Sequence, residues 1–182
     1  MSKILPIIET GHNHFGENKV QEAVEKWTSI KHDFPKIKLH LLGKLQTNKV
    51  KFVIPLFDYI HSLDSIKLAS KISEQQIKKN FKPKVFIQIN IGAEDQKGGI
   101  HEENLNNFYK QCVEEFKLDI IGLMSIPPFD KDPKPYFIKM KELSNNLNLK
   151  EISMGMSNDY LEAIKQGSTF IRIGSKIFGA RD

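Results

Sequence analysis

The most informative part of this chain is residues 168–181, which read Ser-Thr-Phe-Ile-Arg-Ile-Gly-Ser-Lys-Ile-Phe-Gly-Ala-Arg. The pattern predicts a final strand over residues 170–173 that passes through Gly174-Ser175 into a short helix. Gly174 allows a ligand to approach the backbone closely, and the helix start presents N–H groups that attract anions. Arg172 alternates with apolar neighbours, so it faces the opposite side of the strand. If that side is buried, its charge requires an anion or carboxylate partner.

The preceding strand leads into a second candidate loop. Met154-Gly-Met-Ser-Asn-Asp159 follows Ile152-Ser153 and precedes an amphipathic segment. Ser157 can either cap that helix or donate its hydroxyl to a phosphate. Barrels of alternating strands and helices often bind phosphate with the loops after their last two strands. We therefore favour a phosphate site, while the alternative that Ser157 caps and Gly174-Ser175 only turns the chain stays open.

Apolar runs and amphipathic segments alternate along the whole chain. The intervening segments keep a helical spacing, as at Val20, Ala23 and Trp27, and Asp64 is a candidate N-cap for a later helix. This alternation predicts a parallel sheet with helical crossovers. The predicted strands occupy residues 14–15, 39–42, 59–61, 85–89, 120–123, 151–153 and 170–173.

Such a sheet is either open and doubly wound or closed into a barrel. No Gly-x-Gly-x-x-Gly follows an early strand, so a dinucleotide-binding sheet loses support. The sequence shows seven candidate strands, whereas a TIM-type barrel has eight. We expect a TIM-type (β/α) barrel that lacks one strand.

Size, charge and cysteine content restrict the class of protein. The chain has 182 residues and a net charge of +5, which suits one core. Its lysines are interleaved with acids and form no aromatic-lined stripe, so we expect no nucleic-acid partner. No run approaches the roughly 18 apolar residues of a membrane span, and the N-terminus lacks a secretory signal pattern. Cys112 is the only cysteine, which indicates a reducing, cytoplasmic compartment.

The arginines are few and close together. Arg172 and Arg181 are the only two, and both lie in the last eleven positions. Arginine offers a planar fork suited to phosphate or carboxylate. Because the other positively charged positions are all lysine, we infer that these two positions require the planar geometry of arginine.

Other polar residues have two interpretations each. Asn18, which follows Gly16-Glu17, either faces a ligand or caps a helix. Gln88 and Asn90 lie on one side of an otherwise apolar strand, so they either face a polar pocket or satisfy each other.

Neither the histidines nor the cysteine forms a recognisable metal-binding or catalytic motif. His12, His14 and His40 have no carboxylate or cysteine at ligand spacing, so we predict no metal site. Cys112 lies on an apolar helical face, which is typical of a core residue.

Together these motifs resemble the YggS/PROSC family of pyridoxal phosphate homeostasis proteins. The resemblance covers essentially the whole chain in the expected order. It is carried by Phe15-Gly-Glu-Asn18 with Val20-Gln-Glu22, His40-Leu-Leu-Gly-Lys-Leu-Gln-Thr-Asn-Lys49, Gln88-Ile-Asn90, Lys97-Gly-Gly-Ile100, Gly122-Leu-Met124, Met154-Gly-Met-Ser157, and Arg172-Ile-Gly174 through Phe178-Gly-Ala-Arg181.

The resemblance implies a barrel similar to the N-terminal domain of bacterial alanine racemase, here a single domain over residues 1–182. It implies a pyridoxal 5'-phosphate (PLP) carrier or regulator without catalytic residues. The family's phosphate cup maps onto Ser157, Arg172, Gly174 and Ser175, and Asn18 corresponds to a position near the cofactor ring.

One departure from the family concerns the start of the chain. Members normally begin with a helix and a first strand ending in Val-Ser-Lys, whose lysine binds the cofactor covalently. Here a helix is predicted over residues 4–9, and Lys3 stands too close to Gly16 for the family's spacing. We therefore expect an N-terminally truncated member with weaker, non-covalent PLP binding. We also expect a monomer that self-associates if the open barrel exposes strand edges.

Three alternative functions remain at this stage. A PLP-dependent amino-acid racemase would typically need a second domain. A sugar-phosphate enzyme would need acids or bases at strand ends, where Asp58 and Asp64 look more like turn and cap residues. A nucleic-acid-binding protein would show steep salt dependence.

Overall fold

Seven parallel strands form one sheet in which each strand pairs with the next along the chain. The structure, a computed structural model, describes residues 3–94 and 96–179. The strands are His14–Glu17 (β1), Lys38–Leu41 (β2), Tyr59–Leu63 (β3), Lys84–Ile89 (β4), Asp119–Ser125 (β5), Glu151–Met156 (β6) and Phe170–Arg172 (β7). Each predicted strand coincides with one of these, and the fold class is confirmed.

Helices connect successive strands, and one further helix precedes β1 and another follows β7. They are Leu5–Glu9 (α1), Val20–Asp33 (α2), Val50–Val53 (α3), Ile66–Lys79 (α4), Leu105–Glu114 (α5), Lys134–Asn146 (α6), Tyr160–Lys165 (α7) and Ser175–Phe178 (α8). Short 3-10 turns at Thr47–Lys49 and Glu102–Asn104 precede α3 and α5. Parallel strands require such crossovers, which cover the outer face of the sheet.

The sheet curls into a nearly closed barrel, because side chains of distant strands meet in its interior. The ring of Phe170 on β7 lies 5.7 Å from that of Tyr59 on β3 and 5.3 Å from that of Phe86 on β4. Ser153 on β6 contacts His61 on β3 at 2.9 Å. The outer edges of β1 and β7 have no strand partner within the described residues.

The layer between sheet and helices is apolar. Trp27 of α2 is fully buried against Phe15 of β1, with ring centroids 5.0 Å apart. Its indole N–H donates to the Glu17 carboxylate at 2.6 Å, so the polar edge of the ring is satisfied. Cys112 is buried on α5, as expected for a core residue, and burial raises the pKa of its thiol to about 12.

Two helix caps differ from the sequence prediction. Asp64 is not the N-cap of α4; Ser65 is, and its Oγ accepts from the Leu68 N–H at 3.4 Å. Ser157 does not cap α7, which begins three residues further on at Tyr160, after Asp159. In both cases the polar residue lies in the loop that precedes the helix.

Candidate functional site

The loops after β6 and β7 meet at the carboxyl edge of the barrel. The Gly174 N–H donates to Ser157 Oγ at 3.3 Å, which joins residues 17 positions apart in the chain. A Cβ added at Gly174 would meet no atom within 4 Å, so the space over this backbone is open. The structure therefore brings Ser157, Gly174 and the adjacent Ser175 together, as the phosphate prediction requires.

Hydrogen-bond donors remain available at the predicted cup of Ser157, Arg172, Gly174 and Ser175. The N–H groups of Ile177 and Phe178 both donate to Gly174 O at 2.9 Å. The N–H of Ser175, as the first residue of α8, has no carbonyl within the helix to bind. The Ser157 hydroxyl accepts from Gly174 and keeps its own hydrogen to donate.

Arg172 enters the barrel from the end of β7 and contacts oxygens of two other strands. Its Nη1 donates to Ser153 Oγ at 2.7 Å and its Nη2 donates to the Ser125 carbonyl at 2.8 Å. The expected inward orientation is found, since Ile171 is exposed on the opposite face. The expected anion or carboxylate partner stays a prediction; among the described residues, two neutral oxygens accept from the guanidinium. Burial lowers its pKa to about 10, an effect that Asp159 opposes, so it stays charged at neutral pH.

A chain of three histidines extends from the Arg172 site through the barrel interior. His61 Nδ1 lies 2.9 Å from Ser153 Oγ, and His61 Nε2 lies 2.9 Å from His40 Nδ1. His40 Nε2 in turn lies 2.9 Å from His14 Nδ1 on β1. The sequence prediction missed this chain, in which His12 takes no part, since its Nε2 contacts the His14 carbonyl oxygen at 2.7 Å. The available signal was the presence of His40 and His61 within apolar strands.

The buried imidazoles of this chain are held neutral. Burial lowers the pKa of His40 to about 3, and the neighbouring His14 adds to the shift. Burial also lowers the pKa of His61 well below its ordinary value, with contributions from His40 and Arg172. Each ring is also stacked, His40 on Tyr59 with centroids 4.2 Å apart and His61 on Phe86 at 4.3 Å. A neutral ring is the form that this packing favours.

Asn18 lies at the same carboxyl edge but is not in contact with the cup in the described structure. It follows β1 and is exposed, and it does not cap α2, whose N-cap is Lys19. A Cβ at Gly43 would approach the Asn18 carbonyl oxygen to 2.1 Å, so glycine at 43 lets the two loops touch. The role of Asn18 near a cofactor ring stays a prediction.

Gln88 and Asn90 do not satisfy each other. Gln88 Nε2 donates to the Gly98 carbonyl at 2.9 Å, while Asn90 Nδ2 donates to the Glu94 carbonyl at 3.0 Å. Both side chains therefore hold the loop after β4 and line a small cavity of about 130 Å³ that also includes Lys97.

Two lysines, Lys3 beside α8 and Lys176 within it, contact other groups of the protein. Lys3 lies in the turn before α1, as predicted, and its Nζ donates to the Phe178 carbonyl at 2.8 Å. Lys176 Nζ lies 4.7 Å from the centroid of the Tyr160 ring. Arg181 lies outside the described residues.

The two candidate acids occupy opposite ends of β3. Asp58 precedes it and accepts from Lys31 Nζ at 2.6 Å and the Leu39 N–H at 2.9 Å, which is a structural role. Asp64 follows β3, and partial burial raises the pKa of its carboxyl, an effect that Lys44 opposes. Across residues 3–94 and 96–179, no three or more His, Cys, Asp or Glu side chains are grouped so as to hold a metal ion. None of the helices in that same part is long and apolar enough to cross a membrane.

Comparison with known proteins places this geometry in a family. The chain matches the family described as the alanine racemase N-terminal domain over residues 1–182. The pyridoxal phosphate homeostasis protein of Aquifex aeolicus is 40% identical over 176 residues, which are 92% of this chain and 76% of that protein. The protein of the same name from Haemophilus influenzae is 38% identical over 192 residues, covering 100% of this chain and 81% of its own length.

A solved structure supports the same family assignment. PipY from Synechococcus elongatus PCC7942, with PLP bound, is 34% identical and has a TM-score of 0.89, covering 98% of this chain and 87% of that chain. The form of PipY without PLP has a TM-score of 0.92. On fold and sequence together, this chain belongs to the alanine racemase N-terminal domain family and, within it, to the pyridoxal phosphate homeostasis proteins.

Proposed function

We propose that this chain binds PLP at the cup and serves PLP homeostasis within the cell, without catalysing turnover. The observation that carries the proposal is the Gly174 N–H to Ser157 Oγ bond, which joins the last two strand–helix loops beside the start of α8. This is where barrels of this class bind phosphate. The names of the relatives and the PLP-bound form of PipY support the same assignment.

The residues of the cup fit a phosphate. The Ser157 hydroxyl and the Ser175 N–H supply donors, and open space over Gly174 allows close approach. Arg172 supplies positive charge at the end of the adjacent strand, and Asn18 is assigned to the ring side. When bound, PLP supplies an aldehyde and an electron-withdrawing ring. The chain's own residues then bind the phosphate and orient the ring.

The charged side chains around the cup support a non-catalytic role, because they are engaged in other contacts. The Asp159 carboxylate accepts from the Met156 N–H at 2.6 Å, so it is engaged in the loop. Lys3 and Lys176 are engaged by Phe178 and Tyr160. We therefore expect non-covalent binding and no racemisation of alanine.

The test is a titration of the purified chain with PLP, followed by borohydride reduction and intact mass. We expect saturable binding, an unchanged protein mass, and affinity at least about tenfold weaker in Ser157→Ala, which loses a hydrogen bond to a charged group. Ser29→Ala, an exposed serine on α2, is the matched control. Folded protein that does not bind PLP would overturn the proposal.

Two further readouts test the details of the binding mode. A stoichiometric increase in mass after reduction would show that a native lysine reaches the aldehyde, against the non-covalent mode. Racemisation of alanine by the loaded protein, lost in Arg172→Met, would instead support the enzyme alternative.

A further inference from the structure

The hydrogen bonds of the histidine chain inside the barrel all run in one donor-to-acceptor direction. It links β7, β6, β3, β2 and β1 through Arg172, Ser153, His61, His40 and His14, with each successive contact between 2.7 and 2.9 Å. A neutral imidazole has one donor and one acceptor nitrogen. All donors in the chain must therefore point the same way, either toward His14 or toward Arg172.

Arg172 decides between the two directions. A guanidinium carries donors only, so Ser153 Oγ must accept from Nη1. Ser153 is fully buried, and within the described residues its hydroxyl has only one other side-chain partner, His61 Nδ1. If His61 donated to Ser153, the serine hydrogen would be left without an acceptor in a buried site, which is costly. Ser153 therefore donates to His61 Nδ1.

The positions of the hydrogens on His61 and His40 follow from this assignment. His61 carries its hydrogen on Nε2 and donates to His40 Nδ1. His40 likewise carries its hydrogen on Nε2 and donates to His14 Nδ1.

We propose that Ser153, His61 and His40 are positioning residues for Arg172, and that Arg172 in turn fixes the Nε2–H tautomer of each histidine. The assignment of Arg172 to cofactor binding rests on the proposed function, whereas the tautomers rest on the geometry alone. The guanidinium is held at two of its nitrogens, by Ser153 and by the Ser125 carbonyl. Its remaining N–H groups are thereby held in a fixed orientation for a ligand at the carboxyl edge.

The charged and titratable groups around the chain lie mostly at its His14 end. Asp58, His12 and Lys38 act on His14, and Asp58 and Lys31 also act on His40. Within the described residues, Arg172 is the charged group that acts on His61, and the rings of Phe86 and Phe170 pack against it. Across residues 3–94 and 96–179, no carboxylate acts on the pKa of His61, so none of these groups favours its protonated form.

Nuclear magnetic resonance of the protein with ¹⁵N-labelled histidine tests the tautomers without any cofactor. We expect His40 and His61 each to appear at pH 7 as a single neutral species protonated at Nε2. Arg172→Met should allow the reverse tautomer to appear, whereas Lys176→Met, which removes a charge from α8, should not. Nδ1 protonation in the unaltered protein, or tautomers that do not respond to loss of Arg172, would overturn the proposal.

PLP affinity tests the positioning role. We expect Ser153→Ala to weaken binding at least about tenfold, because it releases a hydrogen bond to a charged group, and Ser153→Thr to restore most of the loss. Equal losses in both variants would indicate a packing defect and contradict the role. If the unaltered protein binds no PLP, the proposed function fails, while the tautomer spectra still decide the inference about the chain.

Discussion

His40 shows how one residue makes the stability of this barrel depend on pH. It is 5% exposed and stacked on Tyr59, and burial lowers its pKa to about 3. In the unfolded chain the same imidazole titrates near its ordinary value of about 6.5. Between these values the unfolded state binds a proton that the folded state does not. Stability is therefore fully present above about pH 6.5 and is lost as the pH falls.

We predict that His40→Asn reduces this acid sensitivity. Near pH 5, the free energy of unfolding should change with pH by about 1.4 kcal/mol per unit less than in the unaltered protein, since one differential proton is removed. Urea unfolding at a series of pH values between 4 and 7 measures the slope, with the surface variant His32→Gln as control. An unchanged slope in His40→Asn would show that His40 protonates without unfolding.

At the scale of elements, the close packing of β6 against α7 depends on a glycine. Gly155 has φ +90°, and an added Cβ would lie 2.5 Å from Ala163 Cβ and 3.1 Å from Tyr160 Cα. The positive φ alone disfavours other residues, and the contact adds a clash with a helix that leads away from the cup. The position of Ser157 therefore depends on this close approach.

We predict that Gly155→Ala lowers the free energy of unfolding by about 3 kcal/mol, combining backbone strain with overpacking. Gly11→Ala is the matched control, because Gly11 also has φ +90° but nothing lies within 4 Å of its added Cβ. It should cost about 1–2 kcal/mol from strain alone. Equal losses in urea unfolding would mean that β6 and α7 relax without cost.

The elements were largely predictable, because each strand is a short apolar run followed by a helical spacing. Their ends were not; β6 continues to Met156, whereas the predicted strand ends at residue 153. In the candidate site, local motifs were enough to select Ser157 and Gly174, which the structure brings together, because the sequence signals of turns and helix starts are local. The bond between Ser153 and His61 joins positions 92 apart, which only the curvature of the sheet brings together.

For the whole molecule, the consequence of the seven-strand arrangement is a sheet with two edges. β1 and β7 have no outer strand partner within residues 3–94 and 96–179. Unpaired edges offer backbone N–H and C=O groups to other chains. Ile171 on β7 is 40% exposed and adds an apolar side chain at that edge. We expect the protein to be monomeric when dilute and to self-associate as its concentration rises.

A charge on β7 should suppress that association. We predict that Ile171→Lys shifts the protein toward monomer, because a charged edge resists pairing with a second sheet. Ile77→Lys, at a 76% exposed position on α4, adds the same charge away from the edge and should change little. Light scattering across a concentration series measures both. If the two variants behave alike, net charge controls association; if the unaltered protein stays monomeric throughout, the helices shield the edges and the nearly closed barrel is sufficient.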